Sequence, residues 1–374
     1  MEKTYFGDLS IIGMKGCDKF LSKVDSYLHE WRSDKQGSYL VDAECPRFGS
    51  GEGKAIIHES LRGHDTYIFA DVFNYGVTYK MYGKQVPMSP DDHFMDIKRM
   101  ICAVGGKARR LTLIMPMLYE GRQHRRTARE SLDCAMALQD LSAMGVTNII
   151  TFDAHDPNVQ QAIPYGGFDN VRPAYQMLKA LVKEYPDITF DEEQLMIIAP
   201  DEGAMSRSMY YSSILGVQLG MFYKRRNYTV VVNGKNPIEA HEYLGRSVEG
   251  KDVIVVDDMI SSGESILDVA FQLKQKGAKR IFVFATFGLF CNGLELFDKA
   301  YAEGTISKIF TTNLIYRTPE LLTKEWYAEV NMCKYVSYII DTLNHDYTIS
   351  KLLDPVSRIH TLLDKHKAEL AAKA

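Results

Sequence analysis

Apolar residues along this chain fall into short runs that alternate with stretches of helical spacing. The runs at 65–70, 111–118, 146–152, 194–199, 217–222, 229–233, 252–256, 281–286 and 308–315 predict strands. Helical spacing predicts helices at 17–31, at 129–144 with a stop at Gly145, and at 264–276 with a stop at Gly277. Repeated strand–loop–helix units predict an α/β fold with parallel sheets flanked by helices on both faces. The stretch from Lys224 to Gly234 breaks this rhythm and reads as a loop or β-flag leaving the sheet. At the end of the chain Val356, Ile359, Leu362, Leu363 and Leu370, with Lys and Glu between them, predict an amphipathic terminal helix.

Composition narrows the class. The 374 residues allow two domains at about 150 residues each. Hydrophobic content of 46% with 25% charged residues is that of an ordinary globular protein. A net charge of −4 gives no bulk attraction to nucleic acid. Six cysteines, at 17, 45, 102, 134, 291 and 333, are scattered without a C-x-x-C pair, as in a reduced, cytoplasmic protein. The start Met-Glu-Lys-Thr-Tyr-Phe has no secretory pattern, and no apolar run approaches the ~20 residues that span a bilayer.

Candidate chemistry concentrates at strand ends. Val253-Ile254-Val255-Val256 reads as a buried strand, and Asp257-Asp258 follow where it should stop. A loop Ser261-Ser262-Gly263-Glu264-Ser265 then leads into a helix marked by Ile266, Val269, Ala270 and Leu273. An acid pair alone is also an ordinary polar strand end. With this loop and helix behind it, the acids can accept hydrogen bonds from a sugar diol. The loop N–H groups and the helix N-terminus suit a phosphate. Together they describe a pocket for ribose 5-phosphate.

Four further segments carry charge or ligating groups at the ends of expected strands. Glu120-Gly121-Arg122-Gln123-His124-Arg125-Arg126-Thr127-Ala128-Arg129-Glu130 places four arginines and a glutamine within eight residues. These are planar forks for phosphate and an amide for a base. Asp153-Ala154-His155 ends the next strand, Ala199-Pro200-Asp201-Glu202-Gly203 another, and Tyr223-Lys224-Arg225-Arg226 a third. Taken singly, each is also a common solvated loop, a structural histidine or a helix cap.

In order and spacing these segments resemble ribose-phosphate pyrophosphokinases. The acid pair and its loop resemble the phosphoribosyl-diphosphate loop that this family shares with type I phosphoribosyltransferases. Arg122-Gln123 through Arg129 resembles the family's Arg-Gln-Asp-Arg…Arg-Glu-Pro, Asp153-Ala154-His155 its Asp-Leu-His, and Asp201-Glu202-Gly203 its Ser-Pro-Asp-x-Gly-Gly. Lys224-Arg225-Arg226 resembles its Lys-Arg-Arg. Fainter echoes lie at Arg47–Glu52, Arg62–Asp65 and Tyr347–Leu353. The chain departs from the family at His124 for Asp, at Ser131 for Pro, and at Phe287 for His. Its loop has Ser261 and Glu264 where Asp-Thr-Gly-Gly-Thr is usual, so it reads as a divergent member.

The resemblance implies two phosphoribosyltransferase-type domains with the active site at their interface. It places them at 1–170, with 341–354 returning to this first domain, and at 171–340, followed by the terminal helix 355–374. It implies transfer of the diphosphoryl group of ATP to ribose 5-phosphate. Asp257, Asp258, Ser261, Ser262, Gly263, Glu264 and Ser265 would hold the sugar phosphate, and Arg122, Gln123 and Arg129 would seat ATP. His155 and Asp201 would serve Mg2+, and Lys224 and Arg226 would act on the transferring group. It further implies a cytoplasmic homo-oligomer, built from dimers up to a hexamer, with ATP also touched by a neighbouring subunit. A type I phosphoribosyltransferase and a non-catalytic regulatory subunit are the alternatives; Ser261, Glu264 and Phe287 favour the latter.

Overall fold

The computed structural model of the chain describes residues 5–32, 37–226 and 238–372, apart from the side chains of 224–226 and 238–241. The chain divides into two compact units. The first holds Met1–Pro173, Asn313–Tyr316 and Asn331–Asp354; the second holds Ala174–Thr312, Arg317–Val330 and Pro355–Ala374.

In the first unit β1 (Leu9–Gly13) leads to α1 (Asp18–Trp31) and a short ladder of β2 (Ala43–Glu44) with β3 (Ile56–Ile57). After β4 (Asp65–Phe69) comes a hairpin, β5 (Thr78–Met81) and β6 (Lys84–Pro87), then α2 (Pro90–Val104). Ser89 caps α2 reciprocally with Asp92, Pro90 fills its first turn, and Gly105 closes it at φ 61°. The units β7 (Arg110–Ile114) with α3 (Asp133–Ala143) and β8 (Asn148–Phe152) follow, then β9 (Gly167–Val171). Five strands form a parallel sheet in the order β1-β4-β7-β8-β9. Ile68, Leu113 and Ile149 of the sheet pack against Ile97, Met100 and Ile101 of α2 and Leu138 and Leu141 of α3.

The second unit begins with α4 (Ala174–Glu184) and runs through β10 (Leu195–Ala199), α5 (Met205–Leu215), β11 (Gln218–Arg226) and β12 (Ile238–Leu244). It continues with β13 (Asp252–Ile260), α6 (Glu264–Gln275), β14 (Arg280–Gly288), α7 (Glu295–Ala302), β15 (Lys308–Thr312) and β16 (Tyr327–Val330). Its seven strands lie in the order β12-β11-β10-β13-β14-β15-β16, parallel except for β11 with β12. Met196, Val253, Val255, Val283 and Ile309 bury one face under Ile266, Val269 and Leu273 of α6 and Phe297 of α7. On the opposite face Tyr211 of α5 meets the edge of Phe284 and Tyr185 that of Phe282.

The chain then returns to the first unit as α8 (Cys333–Asn344) and α9 (Ser350–Leu353). Tyr338 of α8 stacks on Trp31 of α1, centroids 4.3 Å apart at 11°. Asn331–Asp354 group with the first unit, a return that begins ten residues before the expected 341–354. The last helix, α10 (Val356–Ala371), lies in the second unit, where buried His366 bonds the carbonyl of Ile188 through Nε2 at 2.7 Å.

Strand ends depart from the sequence pattern in ways that geometry explains. β7 stops at Ile114 because Pro116 brings no N–H to a ladder; its carbonyl instead accepts the Phe152 N–H at 2.9 Å and the Thr151 hydroxyl at 3.0 Å. β15 stops at Thr312 because Asn313 passes to the first unit, where its Oδ1 accepts the Met332 N–H at 2.8 Å. β13 runs on to Ile260, so Asp257 and Asp258 lie inside a strand and not beyond it. Its partner β14 extends beside it, pairing Asp257 with Ala285 and Ile260 with Gly288. The strand expected at 229–233 lies outside the described residues.

Candidate active site

In the second sheet β11 lies on one side of β10 and β13 on the other, so the strand order reverses between β10 and β13. Ligands of open α/β sheets bind outside the carboxyl ends of strands at such a reversal. Both candidate segments of this unit end there. β10 pairs with β13 only as far as Ile198 with Val255 and then stops at Ala199-Pro200, leaving that edge of Asp257 and Asp258 open.

Asp258 is buried, Asp257 is partly exposed, and the Asp258 N–H donates to Asp257 Oδ1 at 2.8 Å. The carboxyl of Asp257 stands well above the usual carboxylate range. Burial disfavours its charge first and the Asp258 carboxylate second; Arg207 pulls the other way, and Asp201 adds to the rise. Asp201, Arg207, Asp257 and Asp258 therefore form one electrostatic group. Asp201 also accepts the Ala204 N–H at 3.2 Å through Oδ1, ordering the turn into α5. Arg207 stands where the family motif resembled by Asp201-Glu202-Gly203 ends in an arginine, a position given no role there. Its signal is the spacing that carries it one turn into the helix after Asp201.

Behind the acids, Gly263 sits at φ 89° as the residue before α6. That left-handed conformation is cheap only for glycine and presents the first N–H groups of α6 outward. Ser261 and Ser262 are half-buried, whereas Glu264 and Ser265 are exposed. Phe287, which replaces an imidazole of the family pattern, is 2% exposed. Its ring belongs to the packed interior, so this departure removes nothing from the open strand end.

The first unit carries the other candidates at the ends of neighbouring parallel strands β7 and β8. Both loops begin with a non-glycine residue in the left-handed region, Glu120 at φ 53° and Asp153 at φ 43°; such conformations cluster at functional sites. Gln123 folds the arginine loop by donating from Nε2 to the Ser131 carbonyl at 2.9 Å, so that donor is already engaged. Arg122, Arg125, Arg126 and Arg129 are exposed and make no hydrogen bond or ion pair among the described residues. His124 lies with its ring centroid 5.4 Å from that of His155 and its Nε2 3.5 Å from Asp156 Oδ2. Its Nδ1 is buried without a hydrogen-bond partner, a polar atom that a ligand could satisfy. The side chains of Lys224 and Arg226 lie outside the described residues.

Among the described residues no group of three or more His, Cys, Asp or Glu is gathered to hold a metal ion. Mg2+ does not require one: it is ordinarily held by one or two carboxylates and by substrate phosphates. The clustered oxygen donors of the second unit, and the raised Asp257 carboxyl that a cation would relieve, fit such an ion.

Comparison with known proteins decides the family. A family model for the N-terminal domain of ribose phosphate pyrophosphokinase matches residues 9–145, and one for the phosphoribosyl transferase domain matches residues 169–304. The chain belongs to the ribose-phosphate pyrophosphokinase family. A pyrophosphokinase of Vibrio cholerae is 26% identical over 322 residues, 84% of this chain and 92% of that protein. One of Ureaplasma parvum is 31% identical over 214 residues, covering 57% of this chain and 61% of that protein. In fold the chain is similar to the phosphoribosylpyrophosphate synthetase of Mycobacterium smegmatis, with a TM-score of 0.72 at 20% identity over 91% of this chain and 99% of that one. Among the described residues of this pyrophosphokinase-family chain, no helix is long and apolar enough to cross a membrane.

Proposed function

We propose that this chain transfers the diphosphoryl group of ATP to the anomeric hydroxyl of ribose 5-phosphate, giving 5-phosphoribosyl 1-diphosphate and AMP. The observation that carries this reading is the Asp257–Asp258 pair at the strand-order reversal, followed at once by the Gly263 turn into α6. Family membership supports it.

Each group has a chemical task. The carboxylates of Asp257 and Asp258 accept hydrogen bonds from the ribose hydroxyls. The N–H groups of the 261–265 loop and the Ser262 and Ser265 hydroxyls take the 5-phosphate. In the first unit Arg122 and Arg129 supply forks to the triphosphate, and Gln123, folded onto Ser131, keeps their loop closed. Asp201 and His155 would hold Mg2+, which when bound neutralises charge on the triphosphate. Lys224 and Arg226 would follow the charge of the transferring group. The ribose O1 bonds to the β-phosphorus as the α–β bridging oxygen leaves with AMP. Little covalent work falls to the protein in such transfers, so positioning and charge neutralisation carry the rate. Scattered free cysteines suit a cytoplasmic enzyme, and membership of the family suggests a homo-oligomer.

The test is direct. Purified protein with Mg2+, ATP and ribose 5-phosphate should release AMP, and only when all three are present. Release of ADP or inorganic phosphate would point to a different transfer. Tight binding to an active homologous subunit without turnover would make the chain a regulatory subunit.

A further inference from the structure

We infer that Phe297 is a positioning residue for the ribose-phosphate loop: the tip of a buried aromatic ring beneath the loop sets its shape, so that the loop's own side chains do not have to. The inference rests on the reading of residues 261–265 as the 5-phosphate site.

Gly263 abuts the Cζ end of the Phe297 ring. A Cβ added there would stand 2.1 Å from Cζ and 2.7 Å from Cε2 of Phe297, so even one methyl group has no room. The ring cannot move aside. It is fully buried, stacked on Trp326 with centroids 5.3 Å apart at 25°, and met edge-on by Phe290 at 5.0 Å and 82°. Trp326 is itself fastened, donating from Nε1 to Asp298 Oδ1 at 2.7 Å. Phe290 belongs to the segment that holds the strand end. The Leu289 N–H donates to the Ile260 carbonyl at 2.8 Å, and the Cys291 N–H to the Ser261 carbonyl at 2.9 Å.

The functional consequence follows from glycine's freedom. An unsupported glycine at the head of α6 populates many conformations, and only some turn the first helical N–H groups toward one point. Pressing Gly263 onto a fixed ring selects its φ of 89° before any ligand arrives. Such preorganisation strengthens binding by removing an ordering cost. It also accounts for the loop's unusual chemistry. Positions 261 and 264 can depart from the family pattern, with Glu264 directed to solvent, because the backbone course is dictated from below.

The experiment compares Phe297→Leu with Phe282→Leu. Phe282 is an equally buried ring on β14 that lies beside Ile254, at the opposite end of β13 from the loop. Both variants lose core packing and should lower the thermal midpoint. Only Phe297→Leu should raise KM for ribose 5-phosphate, by about tenfold, while kcat and the KM for ATP stay within about twofold. Gly263→Ala should weaken sugar binding in both backgrounds, because φ 89° strains alanine even where the ring is gone, but its added effect should be smaller beside Phe297→Leu, since changes that share one contact are not additive. Amide exchange of the free protein gives a readout without turnover. The Leu267 N–H, bonded to the Gly263 carbonyl at 2.9 Å, and the Cys291 N–H should exchange faster in Phe297→Leu and not in Phe282→Leu. Phe297→Met, which keeps bulk without a rigid ring tip, serves if the leucine variant does not fold. An unchanged sugar KM, an equal rise in Phe282→Leu, or unaltered exchange at Leu267 and Cys291 would overturn the inference. Failure of the native protein to bind ribose 5-phosphate in calorimetry would instead remove the functional reading, leaving the exchange result to judge Phe297 alone.

Discussion

Asp257 and Asp258 are neighbours within the last residues of the β13 ladder, and the second ties itself to the first by its own N–H, 2.8 Å from Asp257 Oδ1. Such an arrangement is costly without a ligand. Asp257 holds its proton more tightly in the fold than in the unfolded chain. Its favourable contribution is therefore fully present below the unfolded value near 3.9 and is lost as pH rises through the raised folded value. Above the unfolded value this carboxyl therefore costs the empty protein stability.

Asp257→Asn should thus raise the thermal midpoint of the free protein at neutral pH by roughly 2–4 °C, equivalent to about 1 kcal/mol. The difference from the native chain should shrink as pH is lowered toward 4, which calorimetry across pH would follow. The amide oxygen can still accept the Asp258 N–H. Affinity for ribose 5-phosphate should fall by about tenfold or more, because hydrogen bonds to a charged acceptor are worth about 1.5–3 kcal/mol. A lower midpoint in the asparagine variant would mean that attraction to Arg207 outweighs repulsion from Asp258 and Asp201.

Glu264 opens α6, exposed and without a hydrogen bond or ion pair among the described residues. Its charge favours the helix N-terminus by about 0.3–1 kcal/mol but repels a phosphate bound at the same turn. Glu264→Gln should therefore tighten ribose 5-phosphate binding about two- to tenfold at low ionic strength, since one exposed like charge at close range is worth about 1 kcal/mol. The gain should fade in high salt, where exposed charges are screened. Weaker binding at every salt concentration would show that Glu264 touches the sugar phosphate directly.

Much of the site can be read in the sequence because it is locally encoded. Val253–Val256, the acids, Gly263 and the spacing of Ile266, Val269 and Leu273 specify strand, turn and helix within 21 residues. What escapes is whatever depends on distant partners. β9 (Gly167–Val171) has no apolar run; it exists because Asn148–Phe152 offers it a ladder. β1 is only five residues long and ends in glycine, and its burial is conferred by pairing with β4. The extra length of β13 comes from β14, not from its own composition. The resemblance implies a return to the first domain at 341–354, but the helix α8 that begins this return at Cys333 is not among the helices that spacing predicts. Phe297 is likewise an ordinary apolar helix position until Gly263 is seen abutting it.

Asn344 shows how that return is secured. Fully buried at the end of α8, it donates from Nδ2 to Asp65 Oδ2 at 2.9 Å and to the Gly7 carbonyl at 3.0 Å. Its Oδ1 accepts from Arg32 at 2.8 Å. Asn344→Leu leaves a buried carboxylate and a buried guanidinium each short of a partner, at about 1–3 kcal/mol apiece. The first unit should unfold at markedly lower denaturant, with early loss of exchange protection in α1 and α8. Exchange protection in the second unit should change little. A variant as stable as the native chain would show that the Arg110–Asp65 pair, 2.6 Å between Nη2 and Oδ2, suffices to hold the return.

Lys224 offers the clearest separation of binding from catalysis. β11 extends through Arg226, its backbone pairing Lys224 with His241 and Arg225 with Ala240 before the register shifts between Arg225 and Arg226, so the cations lie on the strand that precedes residues 227–237. If Lys224 meets the triphosphate only as charge shifts from the β-phosphorus, it binds the transition state better than the ground state. Loss of such a group lowers kcat and kcat/KM together while KM moves little. Preorganised charge at a reacting group is worth on the order of 3–4 kcal/mol, or a hundred- to a thousandfold in rate. Lys224→Ala should therefore fold normally, bind ATP with native affinity in calorimetry, and turn over at least a hundred times more slowly by AMP release. A rise in KM for ATP with unchanged kcat would make Lys224 a ground-state binding residue, and near-native turnover would leave it as a solvated cation at a strand end.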